Sequence, residues 1–258
     1  MQETVLITGA SSGIGLELSR CFAADKSRLI LLARNTAALE KLAAELRRDH
    51  RINVEVLTAD LAAPGTPAQI FSELKGRGIT VDVLVNNAGF GLHGAFSNLP
   101  LPQQLEIVTV NVSALVELTG LFLPAMLKQK QGGILNVGSV AGFVPGPNMA
   151  VYYATKAFVL SFSESLQEEL RGTGVRITNL CPGPTESNFS QVARSHHTRK
   201  SKVKKMTAAA VACIGHADYR NATHLSVPGV SNKILTNIPR FLPRVAVRRL
   251  VGHYNKLK

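Results

Sequence analysis

Short, almost wholly apolar runs alternate with longer segments of helical spacing along the first 190 residues. The runs are Val5–Thr8, Arg28–Ala33, Asn53–Thr58, Val81–Asn86, Gly133–Val137 and Val175–Cys181. Strands open to water on one side alternate apolar and polar positions, so runs this continuous fit parallel strands covered on both faces. Between them, Leu18, Cys21 and Phe22 mark one helix and Leu39, Leu42 and Leu46 another. Phe158, Phe162, Leu166 and Leu170 mark a third, at four-residue intervals. Alternation of this kind predicts an α/β fold, a single doubly wound domain of Rossmann type with a parallel sheet of about seven strands flanked by helices. His224–Val227, just before Pro228-Gly229, is the expected last strand.

The composition, 45% hydrophobic and 18% charged over 258 residues, is that of a folded chain with one sizeable core. Cys21, Cys181 and Cys213 are far apart in sequence and form no C-x-x-C pair, so neither a disulfide framework nor a zinc site is expected. Free thiols and a cytoplasmic location follow. Met1–Glu3 lead directly into the first apolar run, leaving no room for a signal peptide. No run of 18 apolar residues occurs, so no transmembrane helix is expected. The net charge of +12 is unevenly placed: residues 1–190 sum to −1, whereas residues 191–258 hold 14 Lys and Arg against the single acid Asp218. The body is neutral and the C-terminal quarter carries the basicity.

The first run leads into Thr8-Gly9-Ala10-Ser11-Ser12-Gly13-Ile14-Gly15 and then a helix. Glycines there permit a tight turn, close backbone approach to a pyrophosphate and close helix–strand packing, and the helix N-terminus offers free N–H groups to the anion. The spacing is G-x-x-x-G-x-G, and its strand-before, helix-after setting makes it a dinucleotide site. The second run ends at Arg34 with no acid to bind a ribose 2′-hydroxyl. Arg34 can pair instead with a 2′-phosphate, and Ser11 and Ser12 can add hydroxyl contacts, which favours NADP(H) over NAD(H).

Tyr152 and Lys156 stand four apart and share one helix face. A phenol, with a reference pKa of about 10, is a poor acid–base group at neutral pH, and a neighbouring ammonium moves it toward working pH. Ser139 lies 13 residues before Tyr152, just past the strand Gly133–Val137. There a hydroxyl can donate to a carbonyl oxygen on which charge develops. Asn111 sits in an apolar helical setting, where its amide needs hydrogen-bond partners.

Together these residues resemble the classical short-chain dehydrogenase/reductase family. Gly9–Gly15 match its cofactor motif, Asn86-Asn87-Ala88-Gly89 its N-N-A-G segment, and Asp60-Leu61 its adenine-contacting pair. Asn111, Ser139, Tyr152 and Lys156 match its four catalytic positions, and Cys181-Pro182-Gly183-Pro184-Thr185 its P-G turn beside the nicotinamide. The resemblance implies hydride transfer between NADP(H) and a carbonyl/secondary-alcohol pair. Tyr152 would be the general acid and base, Ser139 would polarise the carbonyl, and Lys156 would hold the nicotinamide ribose and lower the tyrosine pKa. Asn111 would support a water chain from Lys156. The cofactor contacts it implies include Asn87, Ala88, Gly89, Pro182, Gly183 and Thr185. It also implies a homodimer or homotetramer paired through residues 103–128 and 152–171.

On this reading residues 1–190 are the cofactor-binding and catalytic core. Residues 191–258 are the substrate-covering segment, last strand and basic helical tail of the same domain. Arg194, Arg199, Lys200, Lys202, Lys204 and Lys205 can draw an anionic substrate group or form a solvated lid; His196 and His197 lack further ligands for a metal. Val247, Leu250, Val251, Tyr254 and Leu257 make an apolar stripe among arginines and lysines. That stripe can pack on the body or a neighbouring subunit, or lie on an anionic membrane. Nucleic acid is not an expected partner, since tryptophan is absent and no stacking platform is visible. Leu92, Phe143, Val144 and Met149 near the motifs suggest an apolar pocket for a hydrophobic ketone or 3-oxoacyl chain. The alternatives are a non-catalytic NADP(H) sensor or a membrane-associated protein on the same fold; Tyr152 and Lys156, both present, favour the enzyme.

Overall fold

The structure, a computed structural model, describes residues 2–186 and 205–256. Six of the expected strands are present within about two residues of their predicted limits. They are β1 (Thr4–Thr8), β2 (Arg28–Ala33), β3 (Val54–Thr58), β4 (Val83–Asn86), β5 (Gly133–Val137) and β6 (Arg176–Leu180). Thr185–Glu186 (β7) and Met206–Thr207 (β8) pair with each other, and Leu225–Ser226 (β9) is the short last strand. The main sheet is seven-stranded and parallel throughout, ordered β3-β2-β1-β4-β5-β6-β9. Strand order reverses between β1 and β4, and a crevice opens at the carboxyl ends of strands at such a switch point.

Helices cover both faces. On one side α1 (Gly13–Ala24), α2 (Thr36–His50) and a helix over Ala208–Arg220, here α7, bury Leu18, Phe22, Leu39, Leu42, Val211 and Tyr219 against the sheet. On the other, α3 (Thr66–Gly76) and α5 (Ala114–Gln129) bury Ile70, Leu74, Leu118, Phe122 and Met126. α4 (Leu101–Val108) runs into α5 through one π turn at Thr109–Ser113, giving a continuous helix over Leu101–Gln129. By length and composition alone it is long and apolar enough to cross a membrane, contrary to the expectation from the absence of an unbroken run of 18 apolar residues. In the fold its inner face is a core face of the sheet. Among the described residues the remaining α-helices are α6 (Ala150–Glu169), α8 (Val230–Asn237) and α9 (Arg244–Tyr254). Residues 191–204 of the substrate-covering segment, with His196 and His197, lie outside the described residues, as does Leu257.

The row Phe158, Phe162, Leu166, Leu170 runs along α6 as its spacing predicts but differs in burial: Phe158 is exposed and stacks on Phe162 at a ring-centroid distance of 5.7 Å, whereas Leu166 packs on the core and Leu170 is buried. The buried face holds Thr155, Lys156, Val159 and Ser163, more polar because it faces the catalytic edge. The three cysteines are free, but two are not apart in space. α1 and α7 pack side by side and bring the Cys21 and Cys213 sulfurs to 3.9 Å, and burial pushes the Cys21 thiol up to about 12.

Leu6, fully buried in β1 among residues of the α3/α5 side, is a direct test of two-sided packing. Leu6→Ala is expected to lower the unfolding free energy by about 3 kcal/mol, as core leucine truncations do. A urea-denaturation change below about 0.5 kcal/mol, the size of a surface substitution, would contradict the packing.

Candidate active site

Thr8, the last residue of β1, ties the two sides of the switch point together. Its hydroxyl donates to Val85 O (3.1 Å) and accepts from the Asn87 and Ala88 backbone N–H groups (2.9 and 3.0 Å). The Asn87 amide in turn donates to Thr8 O and Gly9 O (2.8 and 3.2 Å). Asn87 therefore braces the phosphate loop. Gly9 and Gly13 lie in the left-handed region, with φ of 66° and 58°, where a side chain is strained. A Cβ on Gly15 would stand 2.4 Å from Gly9 O, so the helix can approach the loop only with glycine there. Ser12 is the N-cap of α1 and makes no side-chain capping bond, leaving first-turn N–H groups to an incoming anion. Ser11 is half-buried beside it, and Ile14 packs on the core beneath. The cradle fits a dinucleotide diphosphate.

At the end of β2, Arg34 is largely exposed and faces Glu106 and Asp60 at 3.5 and 3.8 Å. Contacts this long between exposed groups are weak and re-pair readily. Asp60 accepts from Ala62 N at 3.0 Å, holding its turn, while Leu61 is buried below. Arg34 and Asp60 thus stand together beyond the carboxyl ends of β2 and β3.

The π turn places Asn111. Its Oδ1 accepts from Phe90 N (3.0 Å), and its Nδ2 donates to Phe90 O (2.9 Å) and Thr155 Oγ1 (3.0 Å). Single π turns inside α-helices are frequent at functional sites because they re-aim side chains. The Thr155 hydroxyl donates onward to Tyr152 O (2.7 Å), so Asn111 reaches the tyrosine's helix through Thr155. Lys156, 6% exposed, donates to Val137 O at 2.7 Å, and burial pushes its ammonium down to about 8. Gly89 lies against both: a Cβ there would be 3.0 Å from Asn111 Oδ1 and 3.6 Å from Lys156 Nζ.

The Tyr152 phenol hydrogen-bonds the Ser139 side chain. Burial pushes it up to about 12, and that bond to Ser139 pulls the other way. Lys156 Nζ is 5.9 Å from the tyrosine ring centre. The lowering expected of Lys156 is not found: the phenol stands above its ordinary value, with Ser139 opposing the burial. Ser139 Oγ also accepts from Ala141 N (3.1 Å), which caps the short turn Val140–Phe143, and the Ser139 backbone N–H donates to the buried Cys181 thiol. Gly91 presses on the tyrosine, since a Cβ there would lie 2.8 Å from the ring. The P-G turn closes this edge. Pro182 O accepts from Val140 N (3.0 Å), Thr185 Oγ1 donates to Gly183 O (2.9 Å), and Gly183 is packed against Asn232 of α8.

All four expected catalytic residues thus meet at the carboxyl ends of β4, β5 and β6. Leu92, Phe96, Leu99, Ile107, Met149 and Tyr152 line a small apolar hollow. Phe143 and Val144 do not line it. Thr155, Gly91 and Asn232 escaped the sequence reading; only Thr155, adjacent to Lys156 on the face toward Asn111, carried a positional signal.

The profile of the short chain dehydrogenase family matches residues 3–198. The chain belongs to the short-chain dehydrogenase family. A very-long-chain 3-oxoacyl-CoA reductase of Coprinopsis cinerea is 33% identical over 192 residues, 74% of this chain and 57% of that protein. The chain spans little more than half that relative's length. Sulfoacetaldehyde reductase 2 of Chromohalobacter salexigens is 38% identical over 194 residues, 74% of this chain and 76% of its own. Among solved structures, a short-chain dehydrogenase from Sphingobium yanoikuyae in complex with NADPH superposes with a TM-score of 0.82 at 32% identity, covering 88% of each chain. Family and fold together give the chain a nucleotide-binding Rossmann core.

Thr155→Val keeps the shape and removes the link between Asn111 and the Tyr152 carbonyl. It is expected to cost about 1–2 kcal/mol of stability in urea unfolding, because two buried polar groups lose a partner. Thr155→Ser is expected to restore it; equal stability of the valine and wild-type proteins would contradict the link.

Proposed function

We propose that the protein is an NADP(H)-dependent reductase of a hydrophobic ketone or 3-oxoacyl substrate, interconverting a carbonyl and a secondary alcohol with Tyr152 as general acid and base. The observation that carries this is the placing of Ser139, Tyr152 and the buried Lys156 together at the carboxyl edge of the sheet. Two neighbouring hydroxyls can bind a single carbonyl oxygen: Ser139 stabilises the charge that develops, and Tyr152 delivers the proton. When bound, the dinucleotide supplies the hydride. Lys156 anchors the end nearest the chemistry, on the ribose hydroxyls, and Asn111 leads a proton path outward from it.

Support for NADP(H) comes from Arg34, a weakly paired guanidinium at the end of β2 where an acid would favour NAD(H). The Sphingobium relative binds NADPH. The apolar hollow beside Tyr152 and the 3-oxoacyl-CoA reductase relative favour an apolar acyl or ketone substrate. The exposed Val116 on α5 and Phe158 on α6 supply an apolar face for a homodimer or homotetramer paired through residues 103–128 and 152–171. The reading includes a cytoplasmic location.

Tyr152→Phe is expected to retain NADPH binding by fluorescence titration while turnover of a ketone panel falls about 10²–10⁴-fold, the scale of general-acid catalysis. Substantial remaining turnover would remove Tyr152 from the mechanism. Arg34→Asp is expected to shift preference from NADPH toward NADH in kcat/KM ratios, and an unchanged ratio would refute the phosphate contact.

The pH dependence follows from the two ionisations. A phenol pushed up to about 12 keeps its proton through neutral pH, the form that reduction consumes, and alcohol oxidation requires its loss. A lysine pushed down to about 8 is a cation below that pH and loses its charge above it. Reduction is therefore expected to fall as pH rises through about 8, and oxidation to climb on the alkaline side. Reduction rising across that window would reverse the assignment.

A further inference from the structure

α8 is built the wrong way round for a surface helix in water. Its buried side chains are the polar Asn232 and Thr236, 5% and 6% exposed, whereas Val230, Ile234 and Leu235 are 75%, 55% and 52% exposed. Surface helices of globular proteins turn their apolar stripe toward the core. Exposed large apolar residues continue along the chain beyond the helix. Ile238 and Phe241, the latter 85% exposed, follow in the connecting turn, and Leu250 of α9 is 62% exposed. Scattered exposed hydrophobics are ordinary, but a dense run of large ones rimmed by polar groups marks an interaction surface.

Charge identifies the partner. Residues 228–256 carry Lys233, Arg240, Arg244, Arg248, Arg249 and Lys256 and no acid at all. A second copy related by a two-fold axis would set six cations against six, with no carboxylate in either patch to offset them. An anionic bilayer meets both requirements, the acyl boundary taking the apolar side chains and the lipid headgroups taking the arginines and lysines.

The same elements border the catalytic edge. Asn232 packs on Gly183 of the P-G turn and donates to Pro228 O at 2.6 Å. At the end of α9, Asn255 O accepts from His93 Nε2 (3.0 Å), and Asn255 Nδ2 donates to the hydroxyl of Tyr153, the neighbour of Tyr152 (3.2 Å). We propose that α8, the turn through Phe241 and α9 form a docking surface for an anionic lipid bilayer, which sets the catalytic edge beside the membrane. That an apolar carbonyl substrate then arrives from the lipid rests on the function proposed above; the docking itself does not.

The test is co-sedimentation of the full chain with phosphatidylcholine vesicles prepared with and without phosphatidylserine, at low and high salt. The protein is expected to pellet with the phosphatidylserine vesicles only, with at least about tenfold weaker binding at high salt, where headgroup attraction is screened. The double variant Ile234→Asp/Phe241→Asp is expected to lose pelleting while keeping the wild-type melting curve. No pelleting of the wild type, or undiminished pelleting of the folded double variant, overturns the proposal. So does a wild-type oligomer that ignores vesicles and dissociates in the variant, which would make a second copy the occupant. NADPH oxidation with a water-soluble ketone is followed in parallel. Its absence in a wild type that pellets would sink the reductase reading and leave the docking surface standing.

Discussion

A lysine ammonium held at the end of β5 is the constraint on which the site depends. Removing such a charge from water is unfavourable, and the fall of Lys156 to about 8 expresses that. The compensation is a carbonyl that the sheet leaves available. Lys156 Nζ bonds Val137 O, where the pairing of β5 with β6 ends at Val137 and Leu180. Reaching it requires α6 to approach closely, and Gly142 permits this, since a Cβ there would fall 2.6 Å from Lys156 O. Tyr152 lies one turn earlier on the same helix, so the contact that seats the lysine also brings the phenol against Ser139. Catalytic geometry and helix packing are one constraint seen from two sides.

Polar side chains carry that constraint across the sheet edge. Asn86 and Asn136 stand in register on β4 and β5, and Asn86 Nδ2 donates to Asn136 Oδ1 at 2.9 Å. Asn136 Nδ2 then donates to Ser163 of α6 at 3.0 Å, so the catalytic helix is tied to the strands by direction as well as by area. Thr8 does the same for the phosphate loop, and Asn111 with Thr155 for the π turn. Hydrogen bonds of this kind fix orientation to a degree that apolar contact does not, because leaving any buried member unpaired is costly.

Much of the fold was legible because parallel strands buried on both faces read as unbroken apolar runs. The cofactor loop and the catalytic four were legible because their chemistry demands particular residues at fixed offsets. The rest was hidden for physical reasons. Helical spacing shows that a stripe exists but not which stripe is inside, so the spacing of Phe158 and Phe162 marked the helix without showing that Thr155, Lys156, Val159 and Ser163 are its buried face. A π turn leaves no periodic mark within five residues, and Asn111 therefore read as an ordinary helical position. Long-range neighbours such as Cys21 and Cys213, or Asn255 and Tyr153, are products of the tertiary fold and have no local signature. β9 pairs through only two residues, too few for a pattern, and was visible mainly through the Pro228-Gly229 that follows.

The reversal of α8 follows from the same principle applied at the rim. Its inner side faces the P-G turn, where Pro182, Gly183 and the backbone of Pro228 present polar groups, so Asn232 is useful there and a leucine would not be. Once the inward positions are polar, a helix of eight residues has no core left for its apolar ones. Val230, Ile234 and Leu235, all exposed, could be charged residues without loss to the interior. Their retention, beside six cations and no acid, puts the balance outside the fold. The helix that closes the catalytic edge is thus satisfied on one side by the protein and on the other by an apolar, anionic neighbour.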